Sequence, residues 1–223
     1  MNTYADEENK AVESDAIVPK TGYIYVAPVG TPAPKFPFRP ASVSAPLDGD
    51  DTGVSDEGEK GKLKGIWKSV GNTSLENGIE MSVEGDDPEV LGSWQVGALA
   101  ITTPDKQYSL TMNLNDITVD TMKLYYGGDD SNVEGESFII PAKPKPTKKA
   151  LFIIGLDDEN AVGWFYPNTS IIGSDAVTID PSALTEVPVK AQILAGQIGG
   201  KDTMGRVYPK TKLASTRADF ITA

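Results

Sequence analysis

The chain alternates between apolar and polar positions over several stretches. Tyr108, Leu110, Met112 and Leu114 alternate with Ser109, Thr111, Asn113 and Asn115, the period of two expected of a strand with one dry face and one wet face. Ile79, Met81 and Val83 alternate in the same way with Glu80, Ser82 and Glu84, and Val187, Val189, Ala191, Ile193 and Ala195 share one side of a further run. Gly22–Pro28 is dense in Tyr, Ile and Val between Gly and Pro, which predicts the first strand. Ala150–Leu156 (ALFIIGL) is apolar without a break and predicts a strand buried on both faces. Shorter strand patterns fall at Phe138–Pro141, Ala161–Tyr166, Ile171–Ile172 and Ala176–Ile179. Leu99 and Ile101 follow a break at Gly97, and Pro104–Asp105–Lys106 then supply turn residues, so 98–115 is expected to be an antiparallel hairpin.

One helix is expected, at about 117–126. Asn115 or Asp116 can accept the free amide hydrogens of its first turn, Val119, Met122 and Tyr126 fall on one face, and Gly127–Gly128 supply a left-handed stop. A short, half-apolar helix suits a position against one face of a sheet. The fold class expected is therefore mainly β: an antiparallel β-sandwich or barrel-forming fold with one short flanking helix, a long inter-strand loop and extended termini. At 223 residues a single all-β domain is the expectation for 1–223. Residues 1–20 read as an N-terminal arm, 29–65 as a long loop rich in Pro, Gly, Ser, Asp and Lys, and 196–223 as a C-terminal arm with little periodicity. A loop of that length is expected to order against a partner.

Composition narrows the chemistry. The sequence has no cysteine and no histidine, which removes disulfides, Cys/His zinc sites and His-dependent nucleophilic catalysis. The net charge of −12 argues against holding nucleic acid by phosphate neutralisation and against anionic membranes. Residues 1–60 hold eleven carboxylates and five basic side chains, whereas 196–223 hold two and five. Such opposite ends could join subunits head to tail, or be two solvated tails. The acidic start carries no basic segment followed by an apolar run, and no apolar run approaches the ~18 residues of a membrane span. The expectation is a soluble protein made in the cytoplasm.

Five constellations invite a functional reading, and each has a plainer one. Asp48, Asp50, Thr52, Asp56 and Glu59 stand at positions 1, 3, 5, 9 and 12 of a calcium-type loop with Gly53 sixth. Ser55 replaces the apolar eighth residue and no helical periodicity flanks the loop, so the expectation is a solvated acidic loop and no metal. Glu84, Asp86, Asp87 and Glu89 offer the paired carboxylates a glycosidase needs, but four acids at a strand end read as a solvated turn. Asn72–Thr73–Ser74 and Asn168–Thr169–Ser170 match a short glycosylation pattern without a secretory context, and GQIGGKDTMG lacks the ending of a phosphate loop. Trp67, Trp94 and Trp164 read as core or subunit-interface anchors. No catalytic residues and no cofactor are expected.

The run from Gly65 to Gly128 resembles the major tail tube proteins of long-tailed bacteriophages. WKSVGNTSLENGI, an acidic stretch into LGSWQ, an alternating strand and a short helix ending in LYYGG stand in the order of tail tube subunits from phages of Gram-positive bacteria. The resemblance implies hexameric rings stacked into a hollow virion tail tube. Within each ring four strands per subunit would join one continuous barrel around the lumen, while a long loop and a terminal arm reach the next ring. It also implies a tape measure protein, tail terminator and distal tail proteins as partners, phage DNA passing without specific binding, and no membrane.

On that reading Glu80, Ser82 and Glu84 are candidates to line the lumen, where carboxylates would repel phosphates. Ser109, Thr111, Asn113 and Asn115 form a second, uncharged wet face. Phe36, Phe38, Asp48, Asp50 and Asp51 in the long loop are candidates for inter-ring contact. The alternatives are another viral or surface β-sandwich, such as a capsid decoration or adhesin-like protein, and a hydrolase working through Asp and Glu alone.

Overall fold

A computed structural model describes residues 16–40, 42–44, 46–47 and 66–213. Their fold is mainly antiparallel β. The main sheet is built from β1 (Thr21–Ala27), β2 (Lys68–Ser69), β3 (Ile79–Glu84), β6 (Gln107–Leu114), β9 (Thr147–Leu156), β10 (Asn160–Gly173), β11 (Val187–Ile193) and β14 (Arg206–Lys212). Its order is β2-β1-β9-β10-β11-β6-β3, and β14 joins the first half of β10. Three small hairpins stand off this sheet: β4 (Val90–Leu91) with β5 (Ala100–Ile101), β7 (Val133–Glu134) with β8 (Ser137–Phe138), and β12 (Gly196–Ile198) with β13 (Lys201–Thr203).

The middle of the sheet is buried on both faces, as the unbroken run in β9 requires. Leu151 and Ile153 point with Ile24 into one cluster, completed by Leu110, Met112, Leu114, Val187, Val189, Ala191, Ile193 and Leu124. Phe152 and Ile154 point the other way, with Tyr25, into a second cluster that holds Phe38, Leu47, Trp67, Phe165 and Leu213. β10 is one strand of 14 residues where two short ones were expected. A register shift between Tyr166 and Thr169 lets it follow β9 along its length while pairing β14 before the shift and β11 after it.

Several expected elements take other forms. Residues 98–115 are not a hairpin: β5 pairs β4, and β6 pairs β3 and β11. The true hairpin joins β3 to β6, and 85–106 is a long excursion between them. Alternation found both strands correctly, but only non-local packing chose their partners. The single α-helix among the described residues, α1 (Val119–Tyr126), is capped by Thr118, whose Oγ1 accepts from Thr121 N–H at 3.2 Å. Asp116 instead accepts from the backbone N–H and side-chain Nδ2 of Asn72 at 3.1 and 3.0 Å. The buried side chains of α1 are Thr121 and Leu124, one step round from the expected face. Gly127 does end it, at φ 67°, and an added Cβ would stand 2.3 Å from the Lys145 carbonyl oxygen.

Residues 196–212, expected as an arm, form β12, β13 and β14, the last inside the main sheet. The pattern at 138–141 yields only the short β8, and 176–179 only a bridge between Thr178 and Glu186.

Candidate functional site

Register decides which polar side chains share a face. Glu80 stands opposite Thr111, Ser82 opposite Ser109 and Glu84 opposite Gln107. On the other side of β6, Ser109 stands opposite Gln192, Thr111 opposite Lys190 and Asn113 opposite Pro188. On β10, Ser170 and Ile172 continue the rows of Gln192 and Lys190. The two polar faces read from the sequence are therefore one face on four adjacent strands, β3-β6-β11-β10, but not all of it is wet: Ser109, 2% exposed, and Pro188 are buried within it. Behind it, the residues that alternate with these on β6 and β11 are buried in the first core cluster.

This polar wall is less acidic than the sequence suggests. Glu84 accepts from Lys190 Nζ at 2.8 Å, two strands away across β6. Both groups remain partly in water, so the pair contributes at most about 1 kcal/mol. Its larger effect is on the wall's charge, leaving Glu80 among hydroxyls and side-chain amides. Glu80 and Glu84 are exposed and Ser82 is half-buried.

Among the described residues β3 is the edge of the sheet. On its apolar side Ile79 packs against the first core cluster, whereas Met81 is 44% and Val83 59% exposed beside exposed Tyr108. An open edge with bare apolar side chains offers backbone groups and surface for another strand to cover. From this edge the excursion 85–106 carries Val90, Leu91, Trp94, Val96, Leu99 and Ile101, all exposed, with Trp94 at 103%. Ser93 and Val96 tie its tip, through Ser93 N–H to Val96 O at 2.7 Å and Val96 N–H to Ser93 Oγ at 3.1 Å. At its base Lys106 Nζ donates to the carbonyls of Gly85 and Asp86 at 3.1 and 2.7 Å. The arm is thus folded on itself while its apolar side chains meet none of the body's core.

The loop candidates fall in two groups. Phe38 is buried against Phe152, with ring centroids 5.7 Å apart, and half-buried Phe36 stacks on Tyr208 at 4.7 Å. Both anchor the base of the long loop on the sheet of their own chain. Asp48, Asp50 and Asp51, with the calcium-type spacing over 48–59, lie outside the described residues.

The carboxylates beside α1 line a groove of about 610 Å³ with Val26, Val70 and Leu124. Each is held locally: Asp120 and Asp130 contact Lys123 Nζ at 3.3 and 2.7 Å, and Asp129 caps the turn that follows by accepting from Ser131. Hydrogen bonds from Ser131 and from Lys123, respectively, hold Asp129 and Asp130 below the usual carboxylate range. The other acidic cluster, Glu84, Asp86, Asp87 and Glu89, sits exposed at the base of the arm. No helix among the described residues is long and apolar enough to cross a membrane.

A polar wall backed by a core, an open strand edge beside it and an apolar arm standing off the body define a structural subunit completed by further chains. The chain matches the model of the phage tail tube protein family over residues 11–207 and belongs to that family. It is similar to the major tail protein Gp23 of Mycobacterium phage D29, with 31% identity over 186 residues, covering 82% of this chain and 85% of the relative. It is also similar to the major tail protein Gp23 of Mycobacterium phage L5, with 30% identity over 187 residues and the same shares covered. The chain is thus a structural subunit of a phage tail tube, carried in the virion tail.

Proposed function

We propose that copies of this chain close into hexameric rings that stack into a tube, with the polar wall β3-β6-β11-β10 turned to the lumen. The observation that carries this reading is the four-strand polar face, which ends at the open edge of β3. A neighbouring subunit that adds its own strand there would extend the wall, cover Met81 and Val83, and leave no bare edge once the ring closes. In that ring the subunits act by shape and charge and catalyse nothing. A tape measure protein would occupy the lumen before the genome passes, and tail terminator and distal tail proteins would cap the two ends.

A conduit must not trap DNA. Hydroxyls and amides give phosphates only weak contacts, Lys190 is engaged by Glu84, and the chain's net charge of −12 adds long-range repulsion. On β3, β6 and β11 the one lysine of the wall is paired, so there the wall works through scarcity of free cations more than through density of carboxylates, and Lys148 stands at its rim opposite Ser170.

Glu80→Lys combined with Glu84→Lys tests this. It releases Lys190 and turns the acidic positions of each subunit's wall basic, at a cost to the fold no larger than that of an exposed ion pair. A phage carrying both substitutions is expected to build tails of normal length and to deliver its genome poorly. Wild-type infectivity would overturn the assignment of this face to the lumen.

A further inference from the structure

We propose that Asn77 is a site of spontaneous covalent modification, converting to isoaspartate and aspartate, and that the conversion loosens β3. The chemistry and the loosening belong to the single chain. Their cost to assembly rests on the tube-subunit reading, in which β3 is the edge offered to a neighbour.

The reaction needs an asparagine whose side-chain carbonyl carbon is within reach of the next residue's backbone nitrogen. Asn77–Gly78 is the one Asn–Gly pair among the nine asparagines of the sequence. Gly78 has no Cβ to block the approach and lies outside the strand ladder, which begins at Ile79. Leu75, Glu76, Asn77 and Gly78 are all exposed, so water and hydroxide reach the turn. The Gly78 nitrogen gives its proton to hydroxide and attacks Asn77 Cγ. The new N–Cγ bond closes a cyclic imide as Cγ–Nδ2 breaks, and Nδ2 takes up a proton and leaves as ammonia. Water then opens the ring at one of its two carbonyls. Opening at the Asn77 main-chain carbonyl leaves the chain running through Cβ and Cγ, as isoaspartate, and opening at Cγ leaves aspartate.

Both products disturb the start of β3. The turn is pinned to β6 at each end: Ser74 N–H donates to the Asn113 carbonyl at 2.8 Å, and Ile79 stands opposite Met112. Within it Asn77 N–H donates to Ser74 Oγ at 3.2 Å. Isoaspartate adds an atom to the main chain of this short closed loop, so the loop or the pairing at its end must shift. The side chain matters as much. Asn77 Nδ2 donates to Glu186 Oε2 at 2.7 Å, tying the turn to the residue that precedes β11, across the end of β6. Either product sets a carboxylate where that donor stood, and attraction to Glu186 becomes repulsion. β3 has β6 as its one strand partner among the described residues, so it has little else to hold it in place.

The test is timed incubation of the purified full chain in mildly alkaline buffer, followed by peptide mapping and enzymatic methylation of isoaspartyl groups. Conversion is expected at Asn77 ahead of Asn72, Asn113, Asn115, Asn132, Asn160 and Asn168, with isoaspartate in excess. Gly78→Ala is expected to slow it at least about tenfold, and a Cβ there meets nothing within 4 Å. Asn77→Gln, which keeps an amide and leaves Gly78 at its φ of 56°, is expected to convert as slowly. Asn77→Asp makes one product outright, and its β3 amides are expected to exchange with solvent about tenfold faster than in the wild type. Asn77→Asp with Glu186→Gln again sets a donor against an acceptor and returns exchange to near the wild-type rate. The concentration at which the chain pellets as tubes should rise and recover in the same order. Conversion at Asn77 no faster than at the other asparagines overturns the site. Unchanged exchange in Asn77→Asp, or a folded double variant that does not recover, overturns the link to β3. Fresh wild-type chain that forms no tubes at any concentration overturns the tube reading instead, while the peptide map and the exchange rates still decide this one.

Discussion

Trp67 and Trp94 look alike in sequence, each in a strand-like stretch with Gly nearby, and they end in opposite surroundings. Trp67 is fully enclosed, edge-on to Phe152 and Phe165 at 6.2 and 6.1 Å, and its indole N–H donates to the Pro32 carbonyl at 3.2 Å. That bond ties the loop after β1 to the second core cluster. Trp67→Ala leaves a cavity among these rings and an unmet carbonyl, and is expected to cost about 3–5 kcal/mol, read from the midpoint of urea unfolding. Trp94→Ala on the monomeric chain should stay within about 0.5 kcal/mol, so a ratio near one between the two losses would mean the burial is wrongly assigned. Of the three tryptophans expected to be core or subunit-interface anchors, Trp67 lies in the core, Trp164 packs half-buried against the first cluster and Trp94 is fully exposed. Which of them anchors the chain's own core depends on the path of the loop between β1 and β2, and that path has no local signature.

At the scale of elements, alternation located strands well and partners poorly. β11 places Val187, Val189, Ala191 and Ile193 on one buried face, as its pattern requires. The expected 98–115 hairpin failed because Pro104–Lys106 is not a tight turn but the return of a longer excursion. The tight turn lies between β9 and β10, where Asp157 accepts from Glu159 and Asn160 N–H at 2.7 and 2.5 Å. Those backbone hydrogen bonds, Glu159 first, hold the Asp157 carboxyl below the ordinary aspartate range. A folded-state value that is depressed gives stability at pH above the unfolded value, and that stability is lost as pH falls through the folded one. Thermal melts taken from about pH 5 down to about pH 2 should show wild type losing its advantage over Asp157→Asn, whose amide oxygen keeps the acceptor but cannot titrate. Parallel curves would show that the turn carries no such linkage.

For the whole molecule, the edge strand links the single chain to its assembly. Val83 is 59% exposed, so Val83→Lys should change the stability of the isolated chain by less than about 0.5 kcal/mol. Beside a neighbour's strand the same lysine would bury a charge on an apolar surface, which is costly without a partner. The expected result is an unchanged melting temperature with rings lost in analytical ultracentrifugation, and rings that persist would place the subunit contact elsewhere. The sequence by itself determined the β class, the strands β1, β3, β6, β9 and β11, and the short helix at Val119–Tyr126, because side-chain period and glycine stops are properties of neighbouring residues. It also carried the family resemblance, in the order of motifs from Trp67 to Gly128. Only the tertiary structure decided that Glu80, Ser82 and Glu84 share a wall with Ser109, Thr111 and Lys190, that Glu84 spends its charge on Lys190, and that 85–106 stands off as an apolar arm. Those facts follow from register and strand order, which are fixed by contacts between residues far apart in the chain.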